Sequence, residues 1–166
     1  MTDTRRQFLL RFAATALASA AAGCEVAPDR APEHNVVYGP PPGIYPRPGS
    51  LEDFAAKAGA RVFFDFDKAT LRPDARDTLA KQAAWLKQYG DYIVTIEGHA
   101  DERGTREYNL ALGERRAGTI KAFLVAHGVA ADRIHTVSYG KERPSALGSN
   151  ESAWAQNRQG ITRLSR

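Results

Sequence analysis

GHADERGTREYNLALGERRA, residues 98–117, decides the reading of this chain. It joins the end of a β-strand to the start of a helix through a loop made almost wholly of charge and glycine. Asp101 sits in the loop, and Arg116 lies about three turns into the helix. Placed on a wheel at 100° per residue, Leu110, Gly113, Ala117, Ile120 and Leu124 form one stripe that should pack on a sheet. Thr105, Asn109, Leu112 and Arg116 line the other edge of that stripe, where side chains are half-shielded from water. A polar ligand is held more firmly there than on an open face. The positions three and four away from Arg116 are Leu112, Gly113, Thr119 and Ile120, so no acid on its own helix pairs with it. Two readings of that edge stand: a binding site, or a solvated helix border.

Outward from this stretch, the elements alternate. Ser50–Ala58 can form a short capped helix, with Glu52 and Asp53 in its first turn. RVFFDF, residues 61–66, is a strand. Pro73 opens a helix that runs to Tyr89 and is closed by Gly90, with Ala75, Leu79, Ala83 and Leu86 as its buried stripe. Residues 93–97 form a strand, 105–127 the central helix, 134–139 a strand, 151–157 a short helix and 159–164 a last strand near the terminus. The order βαβαβ-αβ predicts an α+β fold with right-handed crossovers and helices on one face. Periodicity alone does not fix the strand order.

The N-terminal third is different. Residues 1–23 read as an export signal: Arg5 and Arg6 precede an alanine-rich apolar stretch too short and weak to span a membrane. Thr4–Leu9 resembles a twin-arginine motif, and a general secretory signal fits equally. Ala21-Ala22-Gly23-Cys24 resembles a lipobox, with alanine where leucine is favoured, and Ala18-Ser19-Ala20 offers an ordinary cleavage site instead. Cys24 is the chain's single cysteine, so it has no internal disulfide partner and is the candidate lipidation residue. Residues 24–49 hold seven of the nine prolines and read as an extended linker. It spans roughly 85 Å to Ser50 at full stretch. The domain is then residues 50–166. The net charge is +4, of which residues 1–23 carry +2, and no basic stripe with interleaved aromatics points to nucleic acid.

The quoted stretch, together with RVFFDFDKATLRPDA from Arg61, YGKERP at 139–144 and Asn157-Arg158, resembles the OmpA-like peptidoglycan-binding domain, and within that family its lipid-anchored, peptidoglycan-associated members. The resemblance implies a two-layer α/β sandwich with a mixed four-stranded sheet and an antiparallel last strand. It implies that Asp101 and Arg116 hold the diaminopimelate of a peptidoglycan stem peptide, the carboxylate taking the ammonium and the guanidinium the carboxylate. It also implies an outer-membrane anchor through the N-terminal lipid, a domain in the periplasm, no cofactor, and a TolB-like partner within the Tol system over an overlapping surface. Glu25, rather than aspartate, follows the cysteine, which fits the outer membrane. Phe66 and Asp67, at the end of the first strand, match the family's site wall; Asp67 reads equally as a turn residue bonded to its own backbone. Arg158 is placed at the pocket rim, although Gln159 stands where the family often has a second arginine.

Catalysis finds little support. Glu97, Asp101 and Glu102 fall on one lip of any cleft, with Asp65 or Asp67 as the sole candidates to face them. The four histidines lack metal spacing, and His99 reads as a loop histidine bonded to backbone. No metal site, catalytic residue or nucleophile motif is expected.

Overall fold

The computed structural model describes residues 46–166; the export signal, Cys24 and the linker up to residue 45 lie outside the described residues. The elements are α1 (Leu51–Lys57), β1 (Arg61–Phe63), α2 (Pro73–Gln88), β2 (Ile93–His99), α3 (Arg106–Ala126), a 3₁₀ turn (Ala131–Arg133), β3 (Ile134–Gly140), α4 (Glu151–Asn157) and β4 (Gln159–Ser165). The sheet order is β1-β4-β2-β3, with β2 and β3 parallel and β4 antiparallel to both of its neighbours. The last strand is therefore interior to the sheet. Helices α2 and α3 cover one face, and the expected stripes of Ala75, Leu79, Ala83, Leu86 and Ala117, Ile120, Leu124 meet Val62, Phe64, Val94, Ile96 and Ile134 in one core.

Three local expectations change. β1 stops at Phe63; Phe64 adds one more bond, its N–H to the Arg158 carbonyl at 2.9 Å, and the chain then turns away. Phe66 and Asp67 thus lie in a turn beyond the strand, Asp67 with a φ of +56°. Gly90 does not take the left-handed conformation that closes helices. Instead, the Arg133 guanidinium reaches over from the 3₁₀ turn and donates to the carbonyls of Leu86, Tyr89 and Tyr92, satisfying the end of α2. Gly49, read as the end of the linker, is packed into the domain: the Tyr92 hydroxyl donates to its carbonyl at 2.7 Å, and its N–H donates to Asp53 at 3.1 Å.

Asp53 anchors α1. Its carboxylate pairs with Lys57 at 2.7 Å and accepts from the Trp85 indole at 2.9 Å. The bonds from Lys57 first, then Trp85 and Gly49, outweigh burial and hold its pKa at about 2. A folded pKa below the ordinary 3.8 means that the charged form stabilises the fold above that value, and that this contribution fades as pH falls toward 2. Acid titration of unfolding should show the loss in that window, and Asp53→Asn should remove that part of the pH dependence while lowering stability at pH 7.

α3 crosses β2 at closest approach where two glycines face each other. A Cβ built on Gly98 would penetrate the Gly113 carbonyl, and one on Gly113 would collide with the Ser138 hydroxyl and the Gly98 carbonyl. This contact fixes how near α3 comes to the strand that carries Asp101. Gly98→Ala should cost about 2–3 kcal/mol through overpacking against backbone, which cannot yield. The denaturant midpoint measures it; an unchanged midpoint would show that the helix has room to shift.

Candidate functional site

The β2–α3 loop, the turn after β1 and the first three turns of α3 enclose a cavity of about 190 Å³. Six of the seven binding residues read from the sequence line it: Phe66, Asp67, Asp101, Asn109, Leu112 and Arg116. Arg103, Gly104 and Tyr108 complete the wall.

Arg116 forms the floor and is fully buried, not half-shielded. Hydrophobic periodicity placed it on the border of the stripe; carbonyls from distant segments enclose it. Its Nε donates to Lys68 O at 2.8 Å, Nη1 to His99 O at 2.6 Å and Nη2 to Asp65 O at 3.1 Å. The Phe64 ring lies beneath it, 5.1 Å away. No carboxylate among the described residues comes within 4.0 Å of its nitrogens. Burial lowers its pKa to about 10, against the opposing field of Asp101, so it remains charged at neutral pH. Two of its five N–H groups have no acceptor among the described residues.

Asp101 is buried beside it. Its Oδ1 accepts from the Arg103 backbone N–H at 3.1 Å and from Arg103 Nε at 3.2 Å; its Oδ2 accepts from Arg103 Nη2 at 2.6 Å and Arg158 Nη1 at 3.3 Å. Burial pushes this carboxyl up, but the Arg103 bonds, with help from Arg158, outweigh it and hold the group below its ordinary value. Gly104, with a φ of +94°, turns the chain so that Arg103 folds back over the aspartate. Asn109 fixes the same loop by donating to the carbonyls of Arg103 and Thr105 at 2.8 and 3.1 Å. Thr105 caps α3, accepting from the Tyr108 N–H.

Arg158 is not on the rim. It is buried behind Asp101, donating also to the Phe64 carbonyl at 3.2 Å and to Glu151 at 2.6 Å. Its neighbour Asn157 pins the chain at Ser145 and Ala146 through three hydrogen bonds. Asp67 faces the cavity and accepts from the Tyr108 hydroxyl, so it is more than a self-bonded turn residue. His99 is not a loop histidine bonded to backbone: it ends β2, is buried, and neither ring nitrogen has a hydrogen-bond partner among the described residues. Burial lowers its pKa, with Glu97, 3.8 Å away, opposing.

The sequence reading missed Arg103 and Tyr108. The signal for Arg103 was its place two residues after Asp101 and one before a glycine. Tyr108 is found only through the fold, since its partner Asp67 lies 41 residues earlier.

A fold of this topology around a deep cation and a loop aspartate defines a class. The sequence matches the OmpA family over residues 63–158, and the chain belongs to that family. Its relatives include a "Peptidoglycan-associated lipoprotein" from Mesorhizobium japonicum, 58% identical over 118 residues that cover 71% of this chain and 70% of the relative. A protein of the same name from Pseudomonas aeruginosa is 45% identical, covering 90% of this chain and 93% of the relative. The crystal structure of the peptidoglycan-associated lipoprotein from Burkholderia pseudomallei is similar with a TM-score of 0.62 and 40% identity, covering 64% of this chain and 90% of that one. The C-terminal domain of Helicobacter pylori MotB, 17% identical over 64% of this chain and 84% of its own with a TM-score of 0.60, shares the fold.

Arg116 also ties three segments together. Arg116→Ala leaves three carbonyls without their donor and should cost about 3 kcal/mol. An arginine on a half-shielded helix edge would tolerate the change, whereas this one holds three segments together. Urea unfolding of the two forms decides it; equal midpoints would return Arg116 to a purely ligand-facing role.

Proposed function

We propose that this chain is an outer-membrane lipoprotein, acylated at Cys24, whose domain binds diaminopimelate-type peptidoglycan non-covalently in the periplasm and so ties the outer membrane to the cell wall. The signal at 1–23 and the linker that follows it carry the domain, which begins by Gly49. The observation that carries the binding reading is Arg116, a buried, charged guanidinium without a carboxylate partner among the described residues, at the floor of an open cavity. A buried charge left unpaired is costly, and an incoming ligand carboxylate offsets that cost. The free end of diaminopimelate offers a carboxylate to Arg116 and, on the same carbon, an ammonium to Asp101. The relatives' name, peptidoglycan-associated lipoprotein, supports the same reading. A lysine-type stem peptide lacks that carboxylate and leaves Arg116 unpaired.

Binding without catalysis fits the acid groups. Asp67 and Asp101 share the cavity, but Asp101 is clamped by two arginines and held in its charged form, the opposite of a general acid. Glu97 is turned to Arg163 on the far face of the sheet.

A TolB-like protein is the second occupant we propose, in competition with the wall. The exposed Phe66 and Tyr108 at the cavity lip support it, since aromatic side chains at a rim suit a protein surface. If that occupancy is the main one, the chain acts as an interaction module of the Tol system and not as a wall anchor.

The full chain should sediment with diaminopimelate-type peptidoglycan and be released by free diaminopimelate. Asp101→Asn, near-isosteric, should weaken retention about tenfold, the worth of one charge-assisted bond. Retention indifferent to both would overturn wall binding through this cavity and favour the TolB-like partner.

A further inference from the structure

Asp101 is the residue that should take the ligand's ammonium, yet its oxygens are already engaged by protein donors. A carboxylate has about four lone-pair directions, and four donors already fill them: the Arg103 N–H, Nε and Nη2, and Arg158 Nη1. Arg158 is buried and bonded on its other sides to Phe64 O and Glu151, so it is fixed. Arg103 is different. It is partly exposed, on the cavity wall, and its guanidinium lies in a slot between two rings, 4.0 Å from the Phe66 centroid and 4.2 Å from that of Trp154. At the outer end of the slot is a second acid: Glu151 Oε2, 4.0 Å from Arg103 Nη2, on an exposed side chain. Glu151 and Trp154 are three residues apart on α4 and so lie on one face of it. The slot offers cation–π attraction along its length and a carboxylate at each end.

We propose that Arg103 is an internal competing cation that sets the selectivity of the cavity. It holds Asp101 and yields it only to a ligand that brings its own ammonium. On yielding, it moves along the Phe66–Trp154 slot toward Glu151. This rests on the wall-binding reading above and adds a selection step to it. A ligand with a carboxylate alone reaches Arg116 but leaves Arg103 in place, whereas an amino-acid zwitterion exchanges one cation for another on Asp101. Arg103 is thus a positioning residue that acts through Asp101.

The test is calorimetric titration of the full chain with meso-diaminopimelate and with pimelate, the same carbon chain without ammonium groups, for wild type, Arg103→Gln and Asp101→Asn. Removing the competitor frees Asp101, so Arg103→Gln should bind diaminopimelate roughly tenfold more tightly. It should bind pimelate no better, or worse, because the unscreened Asp101 repels a second carboxylate. A damaged fold cannot mimic a gain for one ligand beside a loss for the other. Trp154 emission supplies a second readout: diaminopimelate should change it in the wild type as Arg103 moves, pimelate should not, and Arg103→Gln should abolish the response. Weaker binding of both ligands by Arg103→Gln would overturn the proposal and make Arg103 a direct ligand contact or a structural one. Unchanged diaminopimelate affinity in Arg103→Gln, with Asp101→Asn still defective, would overturn the selection step and leave wall binding standing. If wild type bound neither ligand, both readings would fall together.

Discussion

The Arg116 guanidinium, caged by the carbonyls of Asp65, Lys68 and His99, is the interaction on which the functional end of this domain depends. Those carbonyls come from the turn after β1 and the end of β2, and the guanidinium comes from α3. One side chain therefore joins the three segments that wall the cavity. Carbonyl dipoles solvate the charge without cancelling it, so the fold delivers an uncompensated cation to the bottom of a pocket. An arginine already paired with a carboxylate could join the same segments and would leave nothing for an anion to find.

The remaining charges form a chain around that cation. Glu151 bonds Arg158, Arg158 bonds Asp101, and Asp101 bonds Arg103. Within this set the acids and bases alternate, and each acid is shared between arginines. Arg116 stands next to the chain without joining it. Asp67, the other acid on the cavity wall, is engaged by the Tyr108 hydroxyl. The cavity thus separates a fixed cation from an anion whose partner is exchangeable, an arrangement suited to a zwitterion and poorly suited to a simple salt.

Much of this was legible in the sequence where the cause is local. The buried faces of α2 and α3 follow from the 3.6-residue period, and Leu79, Leu86, Ile120 and Leu124 are all wholly buried. Ser50, Thr105 and Pro73 start their helices for reasons contained in a few residues. What was not legible depends on partners far along the chain. The interior position of β4 comes from pairing with strands about 65 and 100 residues earlier, by the register Gly98 with Gly160 and Val62 with Gly160. Arg133, not Gly90, finishes α2 because the 3₁₀ turn folds beneath it. A hydrophobic wheel scores arginine as polar and puts it at a border, so the burial of Arg116 was hidden until the carbonyls that permit it were in place. The family resemblance pointed to Asp101 and Arg116 directly, but it said nothing about whether either was free to bind.

That freedom is where the geometry adds most. The Gly98–Gly113 contact brings α3 against β2 closely enough that Arg116 reaches the His99 carbonyl, and the same contact fixes the separation between Arg116 and Asp101 on the next loop. Both charged groups are therefore oriented by backbone packing before any ligand arrives, and no ordering of them remains to oppose binding. The element still able to move is Arg103, its side chain 32% exposed and held between two rings. A site with a rigid floor and one exchangeable wall can reject ligands that match only half of its charge pattern, because the exchange requires an incoming cation and the floor requires an incoming anion.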